Sequence, residues 1–399
     1  MAKPDRASAH AIVAWLEGPG RLIGDRGVFV DELAKRLVGA GVPIDRITTA
    51  IPILHPNLDT SAVYWNAGEP PVERFWRMQP ENVRMLKNSP LRSIYDGGGP
   101  LHFRISPQPQ ADEFTIVPEL RKEGFRDYLA LPAPFSDGST KAMTFATKSA
   151  RGFSDAQVAF LLSLMPTVAM VFEIQTLRRT SRALLETYVG SVAGPRVLDG
   201  KVKRGMIRTM HAVVWFCDLR GFTALSNTVA REDLIAMLND FFEVMVDAVE
   251  ARDGEVLKFI GDAMLAVFSF SRRKGSARKA ARRALDGAVA ARSRIAELNE
   301  RRVAADLAPI DFGIVLHVGD VEYGNIGAEG RLDFTVIGPA VNLAARLQAL
   351  CAERGETIIL SRPFVDQGEL AARRLGSFAL KGFTDRQEAF TPGAGPPSP

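Results

Sequence analysis

Two aspartates stand where apolar strands give way to turns: Asp218 in VVWFCDLRGFTALS and Asp262 in EVLKFIGDAMLAVFSF. Such positions suit a hard divalent cation held against a phosphate chain, because carboxylate oxygens are its preferred ligands. The chemistry to expect is metal-dependent and acts on a nucleotide. Taken singly, each aspartate reads first as a turn residue or a helix cap.

The elements that must position them follow from local pattern. His211 to Phe216 is a short apolar strand, and DLRGFTALS turns it into a helix beginning near Gly221. Backbone N–H groups at that helix start, over Gly221, Phe222 and Thr223, face any anion beside Asp218. A second strand covers Glu255 to Ile260, turns at Gly261 and Asp262, and returns as Ala263 to Phe268. With both aspartates at neighbouring strand ends, two divalent ions can be bracketed as phosphoryl transfer requires. Lys258 lies on the second strand, where it either donates to a ring nitrogen of a base or protects a sheet edge.

The segment IDFGIVLHVGDVEYGNIG reads as a strand pair bent at Gly313, Gly319, Gly324 and Gly327. RLDFTVIGPAVNLAARLQAL reads as a strand, a turn at Gly338, and a helix opened by Pro339. Asn342 and Arg346 lie one helical turn apart on a face that Leu343 and Leu347 do not share. That pair either holds a ribose and a developing phosphate charge or is an exposed polar stripe.

In residues and order, FCDLRGFT, KFIGDAM, GNIG and FTVIGPAVNLAARL resemble the class III nucleotidyl cyclase catalytic domain, across about Arg208 to Phe390. The resemblance implies a ferredoxin-like α+β fold and conversion of ATP to cyclic AMP and pyrophosphate with Mg2+ or Mn2+. It assigns the metal side to Asp218 and Asp262, with Leu219 beside them, the base to Lys258 and Thr335, the ribose to Asn342, and the transition state to Arg346. It also implies a homodimer in which the metal residues of one chain face the base and arginine residues of the other. Thr335 stands where many members carry Asp and a subgroup carries Thr, a subgroup associated with stimulation by bicarbonate. Adenine offers an acceptor at N1 and a donor at N6, which suit a lysine and a hydroxyl, so ATP is expected over GTP.

Upstream, Phe29, Leu33 and Leu37 recur every fourth residue until Gly39, Gly41 and Pro43 stop a helix. TAIPIL before His55, EFTIVP, DYLALPAPF and KAMTFATK read as strands of an antiparallel sheet, separated by turns such as DGGGP. Ser154 and Gln157 form a capping box for a following helix. A sheet closed by such a helix resembles the GAF or PAS class of small sensory domains, with a small-molecule or protein effector. The expected organisation is a sensory domain over 1–175, a helical linker over 176–205, the catalytic domain over 206–391 and a disordered tail over 392–399. In the linker, Ile174, Leu177, Ser181, Leu184 and Tyr188 make an apolar seam that pairs with a second copy or packs on its own domain. GPRVLDGKVKRG, from Gly194 to Gly205, is expected to break helicity.

At 399 residues and 46% apolar content, the chain has material for two cores. Its two cysteines, Cys217 and Cys351, have no metal or disulfide spacing, and no secretory leader pattern opens the chain, so a cytoplasmic protein is expected. Ala156 to Phe172, interrupted by polar residues and Pro166, is expected to be a buried helix too short to span a membrane. The net charge of +4 raises nucleic acid, but the basic run Arg272 to Arg302 sits among alanines at helical spacing without aromatics, as on a solvated helix. His55 and His102 are expected to be ordinary hydrogen-bonding residues rather than haem or metal ligands. The alternatives are a guanylate cyclase and a nucleotide-binding module without catalysis.

Overall fold

Apolar alternation builds two sheets, and helices with one apolar face cover them. The structure is a computed structural model describing residues 5–55, 58–76, 88–200, 205 and 207–393, with the side chains of 52–59, His55 among them, outside that description. The chain divides into two compact units, Met1–Leu184 and Leu185–Pro399.

In the first unit the elements run α1 (Arg6–Glu17), α2 (Arg26–Gly39), β1 (Arg46–His55), β2 (Leu58–Asn66), β3 (Val72–Trp76), α3 (Pro90–Tyr95), β4 (Leu101–Arg104), α4 (Val117–Lys122), β5 (Asp127–Pro134), β6 (Thr140–Thr147) and α5 (Asp155–Val189). The sheet is antiparallel, in the order β3-β2-β1-β6-β5-β4. One face packs on α1, α2 and α5 through Leu16, Phe29, Leu33, Leu37, Ile47, Val63, Phe145, Leu164 and Phe172. Each such fully buried side chain contributes roughly 1.5–3 kcal/mol. The other face carries a smaller cluster around Ile94, Leu120 and Tyr128.

Local signals explain most boundaries. The Asp25 side chain accepts from the Val28 amide at 2.8 Å to start α2. Gln157 accepts from the Ser154 amide at 2.9 Å, closing the box expected there. EFTIVP, expected as a strand, instead leads into α4. Pro118 has no N–H to give a sheet and fits a first helical turn, and Arg121 returns from that helix to Glu113.

α5 is one helix of 35 residues that continues through Thr176 to Val189, the first part of the expected helical linker. It is long and apolar enough to cross a membrane by length and composition. Its first half buries Phe160, Leu161, Leu164, Val168 and Phe172 in the first unit's core, while Ile174, Leu177 and Tyr188 are exposed.

The second unit continues with α6 (Ala193–Leu198), β7 (Ile207–Leu219), α7 (Phe222–Thr228), α8 (Arg231–Glu250), β8 (Glu255–Ile260), β9 (Ala263–Phe270), α9 (Ser276–Ala304), β10 (Phe312–Ala328), β11 (Arg331–Ile337), α10 (Pro339–Leu347), α11 (Ala349–Arg354), β12 (Ile358–Ser361), α12 (Arg362–Gly368), β13 (Ala372–Phe378) and β14 (Gln387–Pro392). α6 forms where a break is expected, because Pro195 falls in its first turn, which tolerates a missing N–H. The sheet order is β13-β14-β12-β10-β7-β9-β8, with β11 on β10. β10 and β12 are parallel and the remaining pairs antiparallel.

α8 and α9 cover one face over Trp215, Phe241, Phe268 and Ala284, and α10 and α11 cover the other over Val214, Leu265, Val315 and Leu347. Ala280, Ala281, Ala284, Ala288 and Ala291 of α9 are buried and most of its basic residues face out, as expected for a solvated helix face. Arg302 is the exception, buried and paired with Asp240 at 2.8 Å.

β10 corrects the expectation of a bent strand pair, being one strand of 17 residues. Gly313 and Gly319 serve packing instead. A Cβ at Gly319 would lie 2.7 Å from Ala340 Cβ, and one at Gly313 would lie 2.6 Å from Cys351 Cβ. Pro392, expected to open a disordered tail, pairs with Ala372 in the sheet, and the rest of that expectation, over 394–399, lies outside the described residues.

Candidate active site

β7 lies between β10 and β9, and its end places Asp218 opposite Ala263 of β9 and Gly313 of β10. Asp262 precedes Ala263, in the turn that Gly261 makes with φ 64°. The two carboxylates are therefore neighbours, close enough to interact electrostatically. Burial pushes the Asp218 carboxyl above its ordinary range; a hydrogen bond from Gln348 pulls it back, Asp262's charge raises it, and Arg220 lowers it. Gln348 Nε2 donates both to Asp218 and to the Gly313 carbonyl, the latter at 3.0 Å. Arg220 donates to the carbonyls of Cys351 and Glu356 at 2.8 and 2.6 Å, fixing the backbone after Asp218.

Gly221 has φ 68° and caps α7, whose seven residues include none that is buried. Phe222 lies half-buried against the core and Thr223 is exposed. The Leu219 side chain is buried, its backbone paired in register with Phe312.

Lys258 sits on β8, the edge strand, just after a register irregularity at Leu257. Its ammonium pairs with Asp333, a partner the sequence did not announce. Thr335, two residues further along β11, is buried, and its hydroxyl has no partner among the described residues. Asn342 and Arg346 are both exposed on α10, opposite the buried Leu343 and Leu347. Within one chain, then, Asp218 meets Asp262, and Lys258 comes to the strand of Thr335. No hydrogen bond or ion pair joins either set to the other, or to Asn342 and Arg346, among the described residues.

Residues 206–390 match the family model for the adenylate and guanylate cyclase catalytic domain. The second unit thus carries a cyclase catalytic domain. The cyclase domain resembles an adenylate cyclase of Anabaena cylindrica, 30% identical over 179 residues, covering 44% of this chain and 34% of that protein. It also resembles adenylate cyclase 1 of Rhizobium meliloti, 26% identical over 250 residues, covering 61% and 37%. The chain spans about a third of the length of these relatives. Among solved structures, the adenylyl cyclase CyaB from P. aeruginosa is 28% identical, with coverage of 46% and 94% and a TM-score of 0.42.

Two polar residues of the cyclase domain escaped the sequence reading. Asp333 shares the period-two face of Thr335, which was its available signal. Gln348 is the one polar member of the buried helical stripe Ala344, Leu347, Gln348, Cys351. Among the described residues no cluster of three or more His, Cys, Asp or Glu forms a metal site. His102 bonds to Asp127 at 3.1 Å, as an ordinary structural histidine does.

Proposed function

We propose that this chain is an adenylate cyclase, acting as a homodimer that converts ATP to 3′,5′-cyclic AMP and pyrophosphate. The observation that carries the reading is the pairing of Asp218 with Asp262 at one strand end of a cyclase domain. The neighbouring Asp262 charge raises Asp218's cost of ionisation, and a divalent cation beside them offsets it, so this donor set fits Mg2+ or Mn2+. Asp218 and Asp262 would hold the ions, with the Leu219 carbonyl beside them. When bound, such ions balance phosphate charge and acidify the ribose 3′-hydroxyl.

The 3′-oxygen bonds to the α-phosphorus, the bond from that phosphorus to the bridging oxygen breaks, and the hydroxyl proton passes to solvent as pyrophosphate leaves. Lys258 donates to adenine N1 and the free Thr335 hydroxyl accepts from N6. Asn342 orients the ribose, and Arg346 stabilises the charge that develops at phosphorus. Backbone N–H groups near Gly221, Phe222 and Thr223 face the phosphates. Asn342 and Arg346 are exposed and bonded to neither aspartate of their own chain among the described residues, which favours their service to a partner's site.

The first unit is read as a GAF/PAS-like regulatory domain. Its support is a cavity of about 280 Å³ on the sheet, lined by Thr48, Tyr64, Trp76, Tyr128 and Thr144, which suits a small effector. The exposed Ile174, Leu177 and Tyr188 of α5 suit pairing with a second copy. Buried free thiols at Cys217 and Cys351 agree with a cytoplasmic location.

The deciding assay measures cyclic AMP from ATP with Mg2+ or Mn2+, using purified full-length protein alongside Asp218→Ala and Asp262→Ala. Activity that both variants lose supports the assignment, and activity that survives either variant removes it. A higher kcat/KM for GTP would reassign the protein as a guanylate cyclase.

A further inference from the structure

The base-facing lysine has a partner that the proposed roles leave unused. Lys258 leaves the edge strand β8 beside an irregularity in register: Val256 faces Ala266 and Lys258 faces Leu265, with the buried Leu257 as the extra residue. Such a bulge re-aims a side chain. The ammonium so aimed meets the carboxylate of Asp333 on β11.

Asp333 and Thr335 alternate with Phe334, so both project from the same face of β11. Across the ladder Thr335 is opposite Gly324, which has no side chain to engage its hydroxyl. That hydroxyl is buried and unpartnered among the described residues. The Lys258 ammonium is thus tied, through Asp333, to the strand face that carries an unused hydroxyl two residues further on.

We propose that Asp333 is a positioning residue for purine selection, holding the ammonium of Lys258 next to the Thr335 hydroxyl so that a donor and an acceptor meet the base in fixed order. The proposal rests on the assignment of Lys258 and Thr335 to the base. A lysine ammonium is a compact charge on a flexible stem, and left alone it follows whichever acceptor the ligand presents. Adenine places its acceptor N1 beside its amino donor N6; guanine places a donor at N1 beside an acceptor at O6. A tethered ammonium matches the first order and mismatches the second, whereas a free one swings to O6. Only one of the ammonium's three N–H groups is needed by Asp333, so the others remain for the base. The pair is partly solvated, with side chains 28% and 58% exposed, so its effect is modest and graded.

The test compares full-length wild type, Asp333→Ala and Asp333→Glu for kcat/KM with ATP and with GTP, and for binding of N-methylanthraniloyl-ATP. Asp333→Ala is expected to raise the KM for ATP and to lower the ATP:GTP ratio by about fivefold, with kcat within about twofold. Asp333→Glu recovers much of the ratio. In a Lys258→Ala background, Asp333→Ala adds nothing further, as coupled residues require. An unchanged ratio overturns the proposal, and so does a lower KM for ATP, which would make Asp333 a competitor for Lys258. If the wild type cyclises neither nucleotide, the cyclase assignment fails by itself. The binding arm then decides alone: weaker binding of the analogue by Asp333→Ala supports the role, and equal binding removes it.

Discussion

The side-chain amide of Gln348 donates to the carboxylate of Asp218, across 130 residues of sequence, from the turn of helix that follows Arg346. A neutral donor there steadies Asp218 without adding a third negative charge beside Asp262. Gln348→Glu would add that charge, and Gln348→Ala would remove the donor.

Both variants should therefore weaken metal activation more than they weaken nucleotide binding. An increase of about tenfold in the Mn2+ concentration for half-maximal cyclic AMP formation is expected, the usual scale for a residue that orients a metal ligand. Titrating Mn2+ at saturating ATP checks this. A rise in the KM for ATP with no change in the Mn2+ requirement would count against it.

A site shared between two chains, as proposed, has a consequence for mixtures. Asp218→Ala and Arg346→Ala chains should each be inactive alone, while an equal mixture regains roughly a quarter of wild-type activity. Half of randomly formed dimers are mixed, and each has one intact site of two. Cyclic AMP formation after co-refolding or subunit exchange reads the result. A mixture that stays inactive although mixed dimers form rules out the shared site.

Gly319 faces Ala340 so closely that a Cβ would sit 2.7 Å from the alanine's own. Gly319→Ala must push α10 outward, at an expected cost of about 1–3 kcal/mol. Because α10 carries Asn342 and Arg346, kcat should fall along with stability. Urea unfolding and steady-state kinetics on the same preparation test the pair of effects; unchanged stability would show that the helix yields freely.

His317 is buried with its Nδ1 2.8 Å from Ser361 Oγ, and burial lowers its pKa to about 4. An unfolded histidine titrates near 6.5, so below that pH the unfolded chain binds a proton that the folded chain refuses until about pH 4. Stability is intact above pH 6.5 and declines as pH falls through that window, by up to about 3 kcal/mol. Urea midpoints measured from pH 7.5 to 4.5 should fall more steeply for wild type than for His317→Gln. Equal slopes would falsify the attribution to His317.

What the sequence could disclose was what local pattern determines. The apolar strand that carries Asp218 at its end, the Gly261 turn before Asp262, the Pro339 helix start and the buried alanine stripe of α9 all follow from spacing within a few residues. Pairings made by tertiary contact could not be seen that way: Lys258 finds Asp333 75 residues away, and Gln348 finds Asp218 only because α11 folds back on β10. Gly313 and Gly319 of β10 misled for the same reason, since they admit the approach of Cys351 and Ala340 rather than making a bend. EFTIVP misled because apolar content alone does not separate a strand from a short helix, and Pro118 settled it.

Cys217 adjoins Asp218, and Cys351 packs against Gly313 under the same carboxylate. Burial pushes both thiols up to about 12. Thiol reagents attack the thiolate, so in the native fold neither sulfur offers them a target at neutral pH. Each becomes reactive only when the sheet end opens. The chain therefore carries two built-in chemical clocks, and their alkylation rate at neutral pH measures how often the strand end bearing Asp218 comes apart.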